Sequence, residues 1–203
     1  MFMYMKPIKS RFVTLLCFCF VTLWSCKSLP IREPVEISRN LTSPGVLNAK
    51  QLAIFFVREN PAANYSEIRS FAQLYIDEAR AENINSDIAF AQMCLETGFL
   101  RFGGLVQKEW HNYCGLGAIG PENPGCIFAT EQEGVRAHIQ HIHAYATTED
   151  VELNNELVDP RYSWVHKTKY AQTVREMAQS WAADPAYAVK IENLLFRMKL
   201  SVR

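Results

Sequence analysis

The chain has 203 residues, 49% of them hydrophobic and 12% aromatic, so a disordered polymer is excluded and one domain with a proper core is the natural reading. Its 21 Lys and Arg residues balance 21 Asp and Glu, but Lys6, Lys9 and Arg11 all precede position 26 and no acid does. The remainder is left at about −3, which argues against a nucleic-acid partner, since such proteins carry a basic face.

The elements follow in chain order. The basic stretch before Phe12 leads into an apolar run, Phe12 to Trp24, of 13 residues. That layout is a signal peptide, and the run falls short of the ~20 residues a spanning helix needs. It closes on Leu23-Trp24-Ser25-Cys26, which resembles a bacterial lipobox, with an ordinary signal cut nearby as the alternative. The expected division is a signal peptide over 1–25, a lipid-anchored linker over 26–47 and a catalytic domain over 48–203. The expected localisation is the cell envelope, with the membrane held through lipid on Cys26. Of the six cysteines, Cys17 and Cys19 leave with the signal, and Cys94, Cys114 and Cys126 remain in the domain. A bridge between Cys114 and Cys126 is possible in an oxidising compartment; Cys94 is then the free thiol, buried on a helix. Their spacing fits no zinc ribbon.

Helical signals begin at Asn48, which caps a helix through Phe56 with a stop at Pro61. Asn64-x-x-Glu67 opens a second helix with Ile68, Phe71, Leu74, Tyr75 and Ala79 on one face. Ser86 is the expected cap of a third, apolar helix that stops at Gly98. Residues 102–128 are rich in Gly, Pro and Asn and read as a loop with a small hairpin. Thr130-x-x-Glu133 and Thr173-x-x-Glu176 start two further helices, the latter ending near Ala183. Asp184-Pro185 starts the last, whose inner face is Ile191, Leu194, Leu195 and Met198. The fold class is therefore mainly α.

Glu96 carries the chemical signal. A carboxyl at the C-terminal end of a buried apolar helix meets low dielectric and the negative end of the helix dipole. Both disfavour the charged form, and a carboxylic acid protonated near neutrality suits a glycosidic leaving group. An exposed helix-terminal Glu is the plain alternative. Ala91-Gln92-x-x-Leu95-Glu96-Thr97-Gly98 resembles the A-Q-x-x-x-E-T-G signature of the bacterial glucosaminidases, glycoside hydrolase family 73. His111-Asn112-Tyr113-Cys114-Gly115-Leu116-Gly117-Ala118, Gly134-Val135-Arg136-Ala137 with Gln140-His141, Leu157 to Tyr162, and Trp181 to Ile191 are similar to that family's later blocks. They run in order from about 70 to 195.

The resemblance implies a lysozyme-like helical fold, with the loop or hairpin between the catalytic helix and the next. It implies action on peptidoglycan glycan strands as an endo-β-N-acetylglucosaminidase, without metal or other cofactor. It makes Glu96 the general acid, sets Tyr187 opposite it in the cleft, and lines the glycan groove with Asn112 and Tyr113; Gln92 faces the groove or packs. The second acid is open. Glu122 is the one carboxylate between Gly117 and Phe128, because Glu131 and Glu133 are explained by the first turn of a helix. The substrate's acetamido group as nucleophile, or another acid activating water, are the other routes. His138, His141 and His143 lack the frame of a metal site, and the expected state is a monomer. Two rival functions remain: a lytic transglycosylase, and a wall-binding module without turnover.

Overall fold

A computed structural model of the protein describes residues 35–201; the expected signal peptide and Cys26 lie outside the described residues. The first helix, α1 (Ala49–Glu59), starts in a complete capping box, with Asn48 and Gln51 satisfying each other's backbone N–H groups. Asn64 caps α2 (Tyr65–Ala81) by accepting from the N–H groups of Ser66 and Glu67. The third helix, α3 (Ser86–Glu96), is capped one residue earlier than expected. Asn85 accepts from Asp87 and Ile88, and Ser86 is the first helical residue. Ser86 through Cys94 are all buried, so α3 is the central rod of the domain rather than a surface helix.

The irregular backbone lies where Gly, Pro and Asn concentrate. It holds a short 3₁₀ turn (Lys108–Trp110) and an antiparallel hairpin of β1 (Ala118–Gly120) and β2 (Asn123–Pro124). Thr130 then caps α4 (Glu131–Ala146), accepting from Glu133 N at 3.1 Å. A short α5 (Tyr162–Thr168) follows that sequence reading did not anticipate. Seven residues are too few for an apolar stripe to declare itself, and only Tyr162 and Val165 turn inward. Thr173 and Glu176 form the full capping box of α6 (Val174–Trp181). The last helix, α7 (Tyr187–Ser201), buries Ile191, Leu194, Leu195 and Met198 as expected. α3 packs against α2, α4 and α7, completing the mainly α, lysozyme-like arrangement.

The described half of the expected linker is not a tether. Residues 35–47 run extended across the domain, with Ile37, Leu41 and Leu47 buried. Leu41 N donates to Gln172 O at 2.9 Å, Val174 N to Arg39 O at 3.1 Å and Asn85 N to Leu41 O at 2.8 Å. The carboxylate of Asp87, on α3, accepts from Val46 N at 2.8 Å and Leu47 N at 3.2 Å. Three buried apolar residues spaced among polar and charged neighbours have no helical period, so their burial is set by tertiary pairing alone.

The long connection between α4 and α5 is pinned in the same way. Buried Glu82 accepts from Asn154 N and Asn155 N, each at 2.8 Å, and Gln140 Oε1 accepts from Val158 N and Asp159 N. Asp159 in turn meets His141 Nδ1 at 2.8 Å, and His143 Nδ1 lies 2.9 Å from Tyr162 Oη.

Candidate active site

Glu96 is the last residue of α3, and the chain leaves the helix sharply beyond it. Gly98 takes φ +58°, and Phe99, Leu100 and Phe102 continue in the left-handed region at +59°, +59° and +48°. Side chains in that region cost roughly 1–2 kcal/mol per residue, so the turn needs support. Thr97 supplies it, with Oγ1 donating to Met93 O at 2.8 Å and accepting from Leu100 N at 2.9 Å. Phe99 adds more, its ring 5.8 Å from Phe55 and 5.5 Å from Phe56. The turn carries the backbone away and leaves the end of α3 facing a cleft of about 310 Å3. Phe102, Leu105, Val106, Asn112, Cys114 and Trp181 are among the residues that line that cleft.

Glu96 as a whole residue is exposed, but one oxygen of its carboxyl is held by two donors. Trp181 Nε1 donates to Oε1 at 3.0 Å, and the Tyr187 hydroxyl donates to the same oxygen. Burial of this end pushes the pKa up from the ordinary carboxyl value, and the two donors pull back against it. Burial thus favours the protonated form, and the two donors favour the carboxylate that a proton transfer would leave. With both donors on Oε1, Oε2 is the oxygen left to carry the transferable proton.

Behind Tyr187 the hydrogen bonds continue into the core. Gln92 Nε2 donates to Tyr187 Oη at 2.9 Å, His138 Nε2 lies 3.2 Å from Gln92 Oε1, and Tyr75 Oη lies 3.0 Å from His138 Nδ1. One assignment of protons satisfies every atom: Tyr75 donates to Nδ1, Nε2–H to Gln92, Gln92 to Tyr187, and Tyr187 to Glu96. It requires a neutral His138, and complete burial lowers that imidazole to about 3. All four donors point towards the acid.

The structure therefore brings Glu96 and Tyr187 together. Gln92, one of the residues expected to bind substrate, is fully buried and spends both ends of its amide on Tyr187 and His138. Asn112 lines the cleft as expected but is not free to bind a sugar, and Tyr113, expected beside it, is absent from the lining. Asn112 is 1% exposed; its Nδ2 donates to Leu116 O at 2.9 Å and Cys126 O at 3.1 Å, while Oδ1 accepts from Leu116 N at 2.9 Å. It clamps the cleft wall and has no donor left for a sugar. Tyr113 is buried edge-on against Phe71, with centroids 4.8 Å apart, so it cannot stack on a ligand. Glu122 sits in the exposed turn between β1 and β2, outside the lining of the cleft. Cys94, Cys114 and Cys126 are all free thiols, so the Cys114–Cys126 bridge is not formed.

Gly134 explains how the clamped loop meets α4. A Cβ there would lie 1.8 Å from His111 O, so only glycine lets the first turn of α4 press against the backbone beside Asn112.

From the sequence, neither Trp181 nor His138 has a role at the acid. An indole N–H in a half-buried position needs an acceptor, a signal that existed for Trp181, but nothing local indicates Glu96. His138 and Gln92 lie 46 residues apart and meet only through the packing of α4 on α3.

Comparison with known proteins finds a family and a relative. A family model described as "Mannosyl-glycoprotein endo-beta-N-acetylglucosaminidase" matches residues 72–200. That span holds both Glu96 and Tyr187 but leaves out α1 and the extended segment before it. A protein of Borreliella burgdorferi described as uncharacterized is 38% identical over 158 residues, covering 78% of this chain and 76% of its own. No solved structure matches.

Proposed function

From the premise that the chain belongs to the glucosaminidase family, we propose that it is an endo-β-N-acetylglucosaminidase that cuts peptidoglycan glycan strands with Glu96 as general acid. Membership makes it a glycosidase of the peptidoglycan-related kind; the bond cut and the residue roles are the proposal. The observation that supports them is the Glu96 carboxyl, raised by burial, with Trp181 and Tyr187 aimed at one oxygen on the wall of a groove.

In this reading Glu96 Oε2 gives its proton to the bridging oxygen as the bond from C1 to that oxygen breaks. The bonding pair leaves with the oxygen. The charge arriving on Oε1 meets two hydrogen bonds already in place, so little reorganisation is needed at the moment of transfer. Glu96 is the one carboxylate among the described residues lining the cleft, so the electron-deficient C1 is met by the substrate itself. The carbonyl oxygen of the neighbouring acetamido group closes on C1, and water then opens that ring with the Glu96 carboxylate taking its proton. The alternative is water activated by Glu122 from the hairpin tip.

The same observation favours a second reading. A single acid also serves a lytic transglycosylase, which closes an anhydro ring in place of adding water. Purified sacculi digested by the enzyme separate the two by mass spectrometry: a reducing end after N-acetylglucosamine supports hydrolysis, and an anhydro-muramyl end supports the rival. Glu96→Gln is expected to lower the rate of either by roughly 10²–10⁴ while keeping a cooperative thermal transition. A Glu96→Gln protein with full activity would remove the assignment.

A further inference from the structure

The groove does not end at the acid. Trp181, Cys114, Gly115 and Ala118 line the catalytic cleft on one side and a second cavity of about 230 Å3 on the other. Trp164 and Val165 of α5, with its two capping residues Arg161 and Lys169, build part of the wall of that second cavity. There Trp164 is 53% exposed, an unusual cost for so large an apolar ring. Arg161 Cζ lies 5.3 Å from the centre of its ring and Lys169 Nζ 5.6 Å. Two cations are thus gathered on one aromatic ring at the edge of a groove, in a domain whose net charge is negative.

Among the described residues neither cation has an acid within salt-bridge distance. Asp159, two residues before Arg161, is spent: its carboxylate holds His141 Nδ1 at 2.8 Å and the backbone N–H of Arg161 at 2.8 Å, and its side chain has no exposed surface. Among the described residues no acid lines the cavity; its other titratable walls are His141, Tyr145 and Cys114. The arrangement is a pair of donors waiting for an anion.

We propose that Arg161 and Lys169, held by Trp164, form a carboxylate-binding subsite for the glycan strand, one groove-length from Glu96. This rests on the reading of the substrate as peptidoglycan. In that polymer alternate sugars carry a lactyl ether, whose carboxylate is free when the peptide has been removed and which otherwise leads to a stem peptide with carboxylates of its own. Both sources present the same group. An uncharged chain of N-acetylglucosamine presents none, so the subsite distinguishes peptidoglycan from chitin-like glycans and sets which sugar lies over the acid.

The test measures binding, so that it stands apart from turnover. The Glu96→Gln protein, alone and with Arg161→Gln and Lys169→Gln added, is titrated with three soluble probes: chito-oligosaccharides, peptide-free glycan strands and peptide-bearing strands. The expected result is a fall of roughly 10- to 100-fold in the ratio of affinity for charged over neutral strands when both cations are replaced. The salt dependence of charged-strand binding should go with it. A fall for both charged probes assigns the lactyl position, and a fall confined to peptide-bearing strands assigns the stem. An unchanged ratio, or no binding of charged strands by the protein with its cations intact, overturns the proposal. If instead the ratio falls but wild-type protein releases no sugar, the subsite stands and the glycosidase reading fails.

Discussion

On one side of the cleft Glu96 is tied to the centre of the protein through Tyr187, Gln92, His138 and Tyr75, every one of them buried. On the other side the wall is a loop and a two-stranded hairpin whose turn carries Glu122 into solvent. The first wall has its hydrogen-bond polarity set from the core outwards. The second is kept in shape by one asparagine, Asn112, that bonds three backbone groups of the loop. The difference separates two tasks. Proton transfer needs an acid held to within a fraction of an ångström, which a rigid scaffold supplies. A glycan strand needs a wall that shapes the groove, and side chains carried on a loop suffice for that.

If the core-side wall sets the acid, breaking its last link has the largest effect. Tyr187→Phe removes one of the two donors to Glu96 Oε1 and leaves Gln92 Nε2 without its acceptor. Loss of an oxyanion-type donor of this kind costs about 10²-fold in kcat. The pH profile gives a sharper readout. The Tyr187 hydrogen bond lowers the pKa of Glu96 against the raising effect of burial, so its removal lets that pKa climb further. A general acid is active below its pKa, and the alkaline limb of the Tyr187→Phe profile should therefore move to higher pH even as the maximum falls. A limb that stays in place, or moves down, would detach Tyr187 from the acid.

One link further in, His138→Leu tests whether polarity is set from the core. It leaves Gln92 Oε1 and Tyr75 Oη buried without partners, at about 1–3 kcal/mol each. A drop of several degrees in Tm is expected, since 1 kcal/mol moves a domain of this size by about 2–4 °C. The pH dependence identifies the cause. In the native state His138 stays neutral down to about 3, whereas an unfolded histidine binds a proton near 6.5. The unfolded chain binds more protons between those values, so acidification through that window destabilises the wild type. His143, held to about 4, acts in the same direction. The loss of stability from pH 7 to pH 5 should shrink in His138→Leu without vanishing. An undiminished slope would mean that His138 is not held neutral. The effect on kcat should be several-fold, less than for Tyr187→Phe, because Gln92 is freed to turn but the Tyr187 hydroxyl remains.

What was legible in the sequence divides along the same line. Caps at Asn48, Asn64 and Thr173, the apolar face of α7 and the Gly/Pro/Asn-rich hairpin are local chemistry, and they lie where the residues place them. Glu96 was legible because a helix-terminal position and a family signature coincide on it. Gln92 and Asn112 belong to the same family blocks, but which of their neighbours they bond depends on α4 and on the fold of the loop. Trp181 reaches Glu96 across 85 residues, and Leu41 pairs with Gln172 across the domain. Neither period nor spacing encodes such pairings. The packed segment 35–47 is the clearest case: it reads as linker by composition and is buried by contact.

The smallest effect is expected on the exposed wall, and it bears directly on the second catalytic group. Glu122 lies in a hairpin turn where water screens its charge and no described side chain aims it at the cleft. If the substrate's acetamido oxygen attacks C1, Glu122→Gln should change kcat by less than about threefold, the scale of an ordinary surface substitution. Replacing the acetamido group of the substrate should then cost far more than replacing Glu122. If Glu122 is the base, the variant should lose at least the 10²-fold typical of such a group. The product anomer gives a second reading of the same question. An acetamido nucleophile attacks from the face opposite the leaving group and water then attacks from the other, so the configuration is retained; a single displacement by activated water inverts it. Inversion together with a large loss in Glu122→Gln would mean that the hairpin closes over the bound strand and brings its acid to the site. The loop wall would then be part of the catalytic machinery, and the division of labour between the two sides would fail.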